Sequence, residues 1–172
     1  MNLATGAITP ILALLGVALG GWLTTRNQDR LWRRDHARQW RDIRLSTYTE
    51  FLSAYRQYIA YALDPNARIT AVSHPRRPDE VMPFFDETGR PYREKLEAAI
   101  MAIRLVSERR ETTDTAKDLV DHVRRIAAAR ATYSEHDIPQ ELFAEMWIAD
   151  KKFLVAARHE LNLSDIWPEA GQ

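Results

Sequence analysis

Residues 43–62 read IRLSTYTEFLSAYRQYIAYA, and the spacing of their apolar side chains decides the fold. One stripe runs Ile43, Thr47, Phe51, Ala54, Tyr58, Tyr61, and a second runs Leu45, Tyr48, Leu52, Tyr55, Ile59, Ala62. Steps of three and four place each stripe on one side of a helix, and together they cover a wide arc. Such a helix needs more than one neighbour to bury it, so a bundle is expected. Four of the six tyrosines lie here. Tyrosine buries its ring and keeps its hydroxyl near water, so the cluster reads as core rather than as a ligand pocket.

Working back toward the amino terminus, no glycine or proline interrupts residues 22–63, and a single continuous helix is expected. Residues 26–44 form a basic neck, with seven arginines (Arg26, Arg30, Arg33, Arg34, Arg38, Arg41, Arg44) against Asp29, Asp35 and Asp42. The chain as a whole has 24 basic and 24 acidic side chains, so its neutrality hides a basic neck and a net acidic remainder. Asp29/Arg33, Asp35/Arg38 and Arg38/Asp42 stand at helical neighbour spacings and offer ion pairs along the neck. Trp32-Arg-Arg-Asp35 recurs loosely as Trp40-Arg-Asp42. At ~1.5 Å per residue Trp40 would stand ~20 Å beyond the end of the uncharged stretch, which assigns it to protein packing rather than to lipid.

From Met1 to Thr25 no residue is charged. A helix needs ~20 mostly apolar residues to cross a bilayer core, and residues 3–23 meet that length. Thr9-Pro10 reads as an N-cap and first-turn proline, so residues 3–9 must also lie at membrane depth. The rivals are a buried soluble helix and a cleaved signal peptide, the latter disfavoured because no basic residue precedes the apolar run. Arginines crowd only one flank, and the positive-inside rule puts that flank in the cytoplasm with the amino terminus outside. The expected location is therefore the inner membrane, single-pass. Trp22 falls where an interfacial aromatic belt would lie. Gly16 and Gly20 form a G-x-x-x-G step that Thr24 extends, and such small side chains let two helices approach closely in lipid. Arg26, Arg30, Arg33 and Arg34 are placed to hold anionic headgroups, each worth ~1 kcal/mol near the surface. The interspersed aspartates and the adjacent span argue against nucleic acid as the partner.

Working forward, Asp64-Pro65-Asn66 ends the helix. Residues 64–91 hold five of the eight prolines and little periodicity, and are expected to form a long loop with no strand. Val81-Met-Pro-Phe-Phe85 is the part suited to dock on the bundle. Pro91-Tyr92 opens a second helix carrying Tyr92, Leu96, Ala99, Ile103 and Val106 inward. Thr112-Thr-Asp114 is expected to interrupt it and cap a third, with Ala116, Leu119, Val120, Val123, Ile126 and Ala127 inward and the stripe stopping at Arg130. After a turn at 134–139 a fourth helix turns Leu142, Phe143, Met146, Trp147, Phe153, Leu154, Ala157 and Leu161 inward. Short turns make the last three helices antiparallel neighbours. The expected class is all-α: a single transmembrane helix (1–25), the neck (26–44), an antiparallel four-helix bundle (45–162) with the loop inside it, and a tail (163–172).

The chemistry-bearing residues are few. The chain has no cysteine, which excludes disulfides, thiolate metal sites and cysteine nucleophiles. Its five histidines (His36, His74, His122, His136, His159) form neither H-x-x-x-H nor E-x-x-H, so a di-iron bundle lacks its ligands. Phosphate-binding and dinucleotide glycine loops are missing, as is a nucleophile elbow. Asp118, Asp121 and His122 on the third helix are the one acid–histidine set a divalent metal could use, and a solvated polar face is the plainer reading. Glu141 and Glu145 favour the dipole at the start of the last helix. No cofactor and no catalytic residue is expected.

The succession LLGVALGGWLTTR (14–26), LWRRDHARQWRDIR (31–44) and STYTEFLSAY (46–55), closing with FLVAARHELNL (153–163), resembles small actinobacterial membrane-anchored helical proteins of unknown function. The resemblance implies the architecture and the cytoplasmic bundle, and it transfers no catalytic residue. The function expected is a self-associating, non-enzymatic interaction or scaffold module with a lipid partner and a protein partner. The alternatives are a membrane-perturbing effector of phage-exclusion or defence type and a metal-dependent bundle enzyme.

Overall fold

A computed structural model describes residues 3–74, 77–133 and 137–164, with side chains described from Trp32 onward apart from Arg33 and residues 74–80. The order of elements is α1 (Leu3–Ala62), β1 (Ile69–His74), β2 (Arg77–Phe85), α2 (Arg90–Val106), α3 (Arg110–Arg130) and α4 (Gln140–Glu160). The chain divides between Asp42 and Ile43 into two units. Among the described residues no helix is long and apolar enough to cross a membrane. The uncharged stretch is helical in backbone, and its side chains lie outside the described set.

Among the described side chains of the first unit, Trp32, His36 and Trp40 form a ladder on one side of α1. Trp32 stacks on His36 (ring centroids 5.0 Å, planes 8° apart), and Trp40 meets His36 edge-on. The Trp40 Nε1–H donates to His36 Nε2 at 3.0 Å. Trp40 therefore packs against its own helix. Among the described residues Asp35/Arg38 and Arg38/Asp42 do not close to ion pairs, and the Asp29/Arg33 pair falls outside the described side chains.

The second unit is a four-helix bundle, and contacts between the helices give its directions. Residue 44 of α1 meets Val106 and residue 57 meets Lys95, so α1 and α2 run antiparallel. Tyr48 meets Phe153 and Tyr55 meets Asp150, which makes α4 antiparallel to α1 as well. The short connections at 107–109 and 131–139 fold α3 back against α2 and α4, where Arg124–Glu97 and Arg125–Glu145 pair across them. The core seam takes the middle of both α1 stripes: Tyr48, Phe51, Ala54, Tyr55, Tyr58 and Ala62 are buried, while Ile43 and Leu45 are exposed. Phe51 and Phe153 meet edge-to-face at 4.9 Å at its centre. The six α3 positions expected inward are all buried, but Trp147 on α4 points to solvent at 65% exposure.

Three boundaries differ from expectation. α1 begins at Leu3 and runs through Thr9 and Pro10, which therefore do not cap its start. Thr112 does not interrupt a helix; it is buried in the first turn of α3, and the break falls at residues 107–109. The presumed loop contains an antiparallel hairpin, β1 with β2, in which Ile69 faces Phe85 and Ala71 faces Pro83. Its prolines disguised it. The Asp86 N–H donates to the Arg68 carbonyl at 3.3 Å, which sets the phase of the ladder. Every second residue then points its backbone groups outward, Pro83 among them, so its missing N–H breaks no bond to β1. Strand alternation also splits the Phe84-Phe85 pair: Phe85 is buried against Tyr58 and Tyr61, and Phe84 is exposed.

The hairpin hands over to α2 through Asp86. Its carboxylate accepts bonds from Tyr61 Oη–H (2.7 Å), Thr88 Oγ1–H (2.7 Å) and the Gly89 N–H (3.0 Å). Those donors, Thr88 foremost, hold its pKa down at about 2. Gly89 is required by space: a Cβ there would lie 2.8 Å from Phe85 Cβ and nearer still to the Tyr61 ring.

Candidate functional site

The residues singled out from sequence fall into three groups. The side chains of Gly16, Gly20, Thr24, Arg26, Arg30 and Arg33 lie outside the described set, and Arg34 is exposed on α1. Of Asp118, Asp121 and His122 only two come close, His122 Nδ1 lying 3.6 Å from the Asp118 carboxylate. His122 Nδ1 lies 2.8 Å from its own helix's Asp118 carbonyl and Nε2 lies 3.7 Å from Glu145. Asp121 turns to Lys117 and Arg124 instead. Among the described residues no group of three donors is arranged to hold a metal ion. Glu145, read only for its helix dipole, reaches across to Arg125 at 3.2 Å.

One concave feature of the bundle is a groove of about 850 Å³ lined by the hairpin, α2 and α3. Its hairpin wall carries Val72, Val81 and Phe84, all exposed. Tyr58 contributes from α1, and burial pushes its hydroxyl pKa well above the usual range. The opposite wall is charged: Arg93 and Glu97 from α2, Asp118, Asp121 and Arg124 from α3. Arg124 is taken up by Glu97 and Asp121. The Arg93 guanidinium stands 5.9 Å from the Phe84 ring centroid, and among the described residues no carboxylate lies within ion-pair distance of it. The groove thus offers an apolar shelf with a cation beside it. An apolar shelf with a few polar groups converging beside it is the usual make-up of a binding site.

A second polar cluster is buried where α1, the α2–α3 turn and α4 meet. Glu160 accepts from Ser107 Oγ–H at 2.8 Å and from the Glu108 N–H at 2.7 Å. Arg44 stands 3.6 Å away, donates to the Val106 carbonyl at 3.0 Å, and also pairs with Glu108. Burial alone would raise the Glu160 pKa; the surrounding donors outweigh it and hold the carboxyl below its usual value. The Tyr48 and Thr112 hydroxyls face the same cluster without reaching hydrogen-bond geometry. Arg44 satisfies an orphan carbonyl at the end of α2, and Glu160 places negative charge at the start of α3, where the helix dipole favours it. This is a structural clamp.

Sequence reasoning missed Phe84, Arg93 and Glu160. The adjacent phenylalanines were the available signal for the first, since a strand must split them. Arg93 and Glu160 stand among many charged residues, and only the fold distinguishes them. The chain matches no protein-family model, and no curated protein or solved structure is significantly similar to it.

Proposed function

We propose that the chain is a single-pass inner-membrane protein whose helical bundle faces the cytoplasm and acts by binding, to its own copies and to a protein partner. What supports this is the unbroken course of α1: one helix carries both the uncharged stretch and the stripe that forms the bundle core. Seven arginines follow the uncharged stretch directly, which favours the cytoplasm for the bundle. Arg26, Arg30, Arg33 and Arg34 hold anionic headgroups. Gly16, Gly20 and Thr24 form the contact between copies within the bilayer. The groove beside Phe84 and Arg93 is the surface for the protein partner, and the chain carries out no reaction.

Cross-linking of the full chain in native membranes tests the self-association. Wild type should yield linked dimers or larger species, and Gly16→Leu with Gly20→Leu should reduce them sharply. Unchanged linkage in the double variant would remove the glycine face from the account.

A further inference from the structure

The hairpin has two outer edges of unequal character. On β2 the ladder phase turns Pro83 outward, so that edge lacks a donor in its middle. Prolines on an edge strand are a standard guard against pairing with another chain. The β1 edge has no such guard. Residues 69–73 read ITAVS, with no charge and no proline in a chain that is 28% charged. Thr70 and Val72 direct their N–H and C=O groups toward β2, while Ile69, Ala71 and Ser73 direct theirs away. Among the described residues the sheet has two strands, and Thr70, Ala71, Val72 and Ser73 are exposed.

We propose that the β1 edge is a pairing surface for the β1 edge of a second copy, joining two hairpins into one four-stranded antiparallel sheet. The strand is complementary to itself. With Ala71 on the two-fold axis, Ala71 faces its equivalent and Ile69 faces Ser73 of the other copy, each facing pair exchanging both of its backbone bonds. Every outward group of residues 69, 71 and 73 is then satisfied. On the other face of the sheet Thr70 lies opposite Val72, a pair of β-branched side chains suited to a strand surface. No charge meets a like charge in this register, and β2 with its proline ends the sheet on both sides. The surface lies wholly within the second unit and does not depend on the membrane reading.

The absence of native cysteine allows a direct test. Full-length chain in mild detergent, carrying Ala71→Cys, is oxidised beside a control carrying Leu105→Cys at an exposed site on α2. Ala71→Cys should form disulfide-linked dimers far faster than the control, and facing strand residues at this spacing permit the bond. Ala71→Pro, which removes an outward N–H and no bond to β2, should reduce the dimer measured by light scattering while leaving helical content intact. Linkage through position 71 should persist when Gly16 and Gly20 are both leucine, which separates this surface from the span. Equal linkage at positions 71 and 105, or an Ala71→Pro chain with unchanged mass, would overturn the proposal. So would a purified chain that stays monomeric while its β1 edge binds an added extended peptide.

Discussion

Glu160 shows how one buried charge can hold several elements. Its side chain is 2% exposed and is served by two hydrogen bonds and the Arg44 guanidinium. Glu160→Ala should destabilise the bundle by about 3 kcal/mol, because it takes the acceptor from the Ser107 hydroxyl and the Glu108 N–H and removes one of the partners of Arg44, and urea unfolding would measure it. A loss under about 1 kcal/mol would mean that these contacts do not clamp the helices. The pH dependence has a definite sign. Glu160 and Asp86 both have folded pKa values below their ordinary ones, so their stabilisation is present above pH ~4 and is lost as pH falls through the folded values. Acid unfolding should begin below pH ~4, and Asp86→Asn should flatten its part of that dependence toward pH 2. Tyr48, Tyr55 and Tyr58 have the opposite sign. Burial raises their pKa, so stability is full below pH ~10 and falls as pH rises further, because the unfolded chain ionises them and the folded chain does not. Phenolate absorbance of these three should appear together with unfolding. At Gly89 an alanine should cost about 1–3 kcal/mol by forcing the Tyr61 ring aside.

At the scale of elements, the hairpin separates two adjacent phenylalanines by role. Phe85→Ala should destabilise by about 3–5 kcal/mol, since its ring packs on Tyr58 at 4.8 Å, whereas Phe84→Ala should stay within ~0.5 kcal/mol. Thermal unfolding of the two variants checks the strand register directly; similar losses would contradict it. The helices were legible in the sequence because their periodicity is dense, as the α3 stripe from Ala116 to Ala127 shows. The hairpin was not. Its proline-rich stretch reads as a loop until the ladder phase shows that Pro83 needs no partner. The break before α3 was misplaced because Thr112-Thr-Asp114 has capping chemistry, yet tertiary burial of Thr112 draws it inside the helix. Trp147 was misassigned because its position lies next to the apolar stripe of α4 rather than on it.

Across the whole chain, charge separates the parts more clearly than apolarity does. The uncharged residues 1–25, the arginine-rich 26–44 and the net acidic remainder follow one another along the sequence. α1 runs through the first two regions and into the third, because a helix satisfies its backbone bonds internally whatever side chains it carries. The Asp118, Asp121 and His122 set shows the limit of reading such a chain by residue type alone. The spacing was permissive, and the fold sends Asp121 to Lys117 and Arg124, away from the other two. The groove was out of reach for the same reason, since Phe84 and Arg93 come together only when the hairpin lies over α2.

The account turns on whether residues 3–25 reside in lipid with the arginines on the cytoplasmic side. Paired fusions after Gln172, one reporter active only in the cytoplasm and one only after export, measure this in intact cells together with carbonate extraction of the membranes. The account predicts an active cytoplasmic reporter, a silent exported one, and protein that stays in the carbonate-washed pellet until detergent is added. An active exported reporter, or full-length chain released by carbonate into the supernatant, would contradict it.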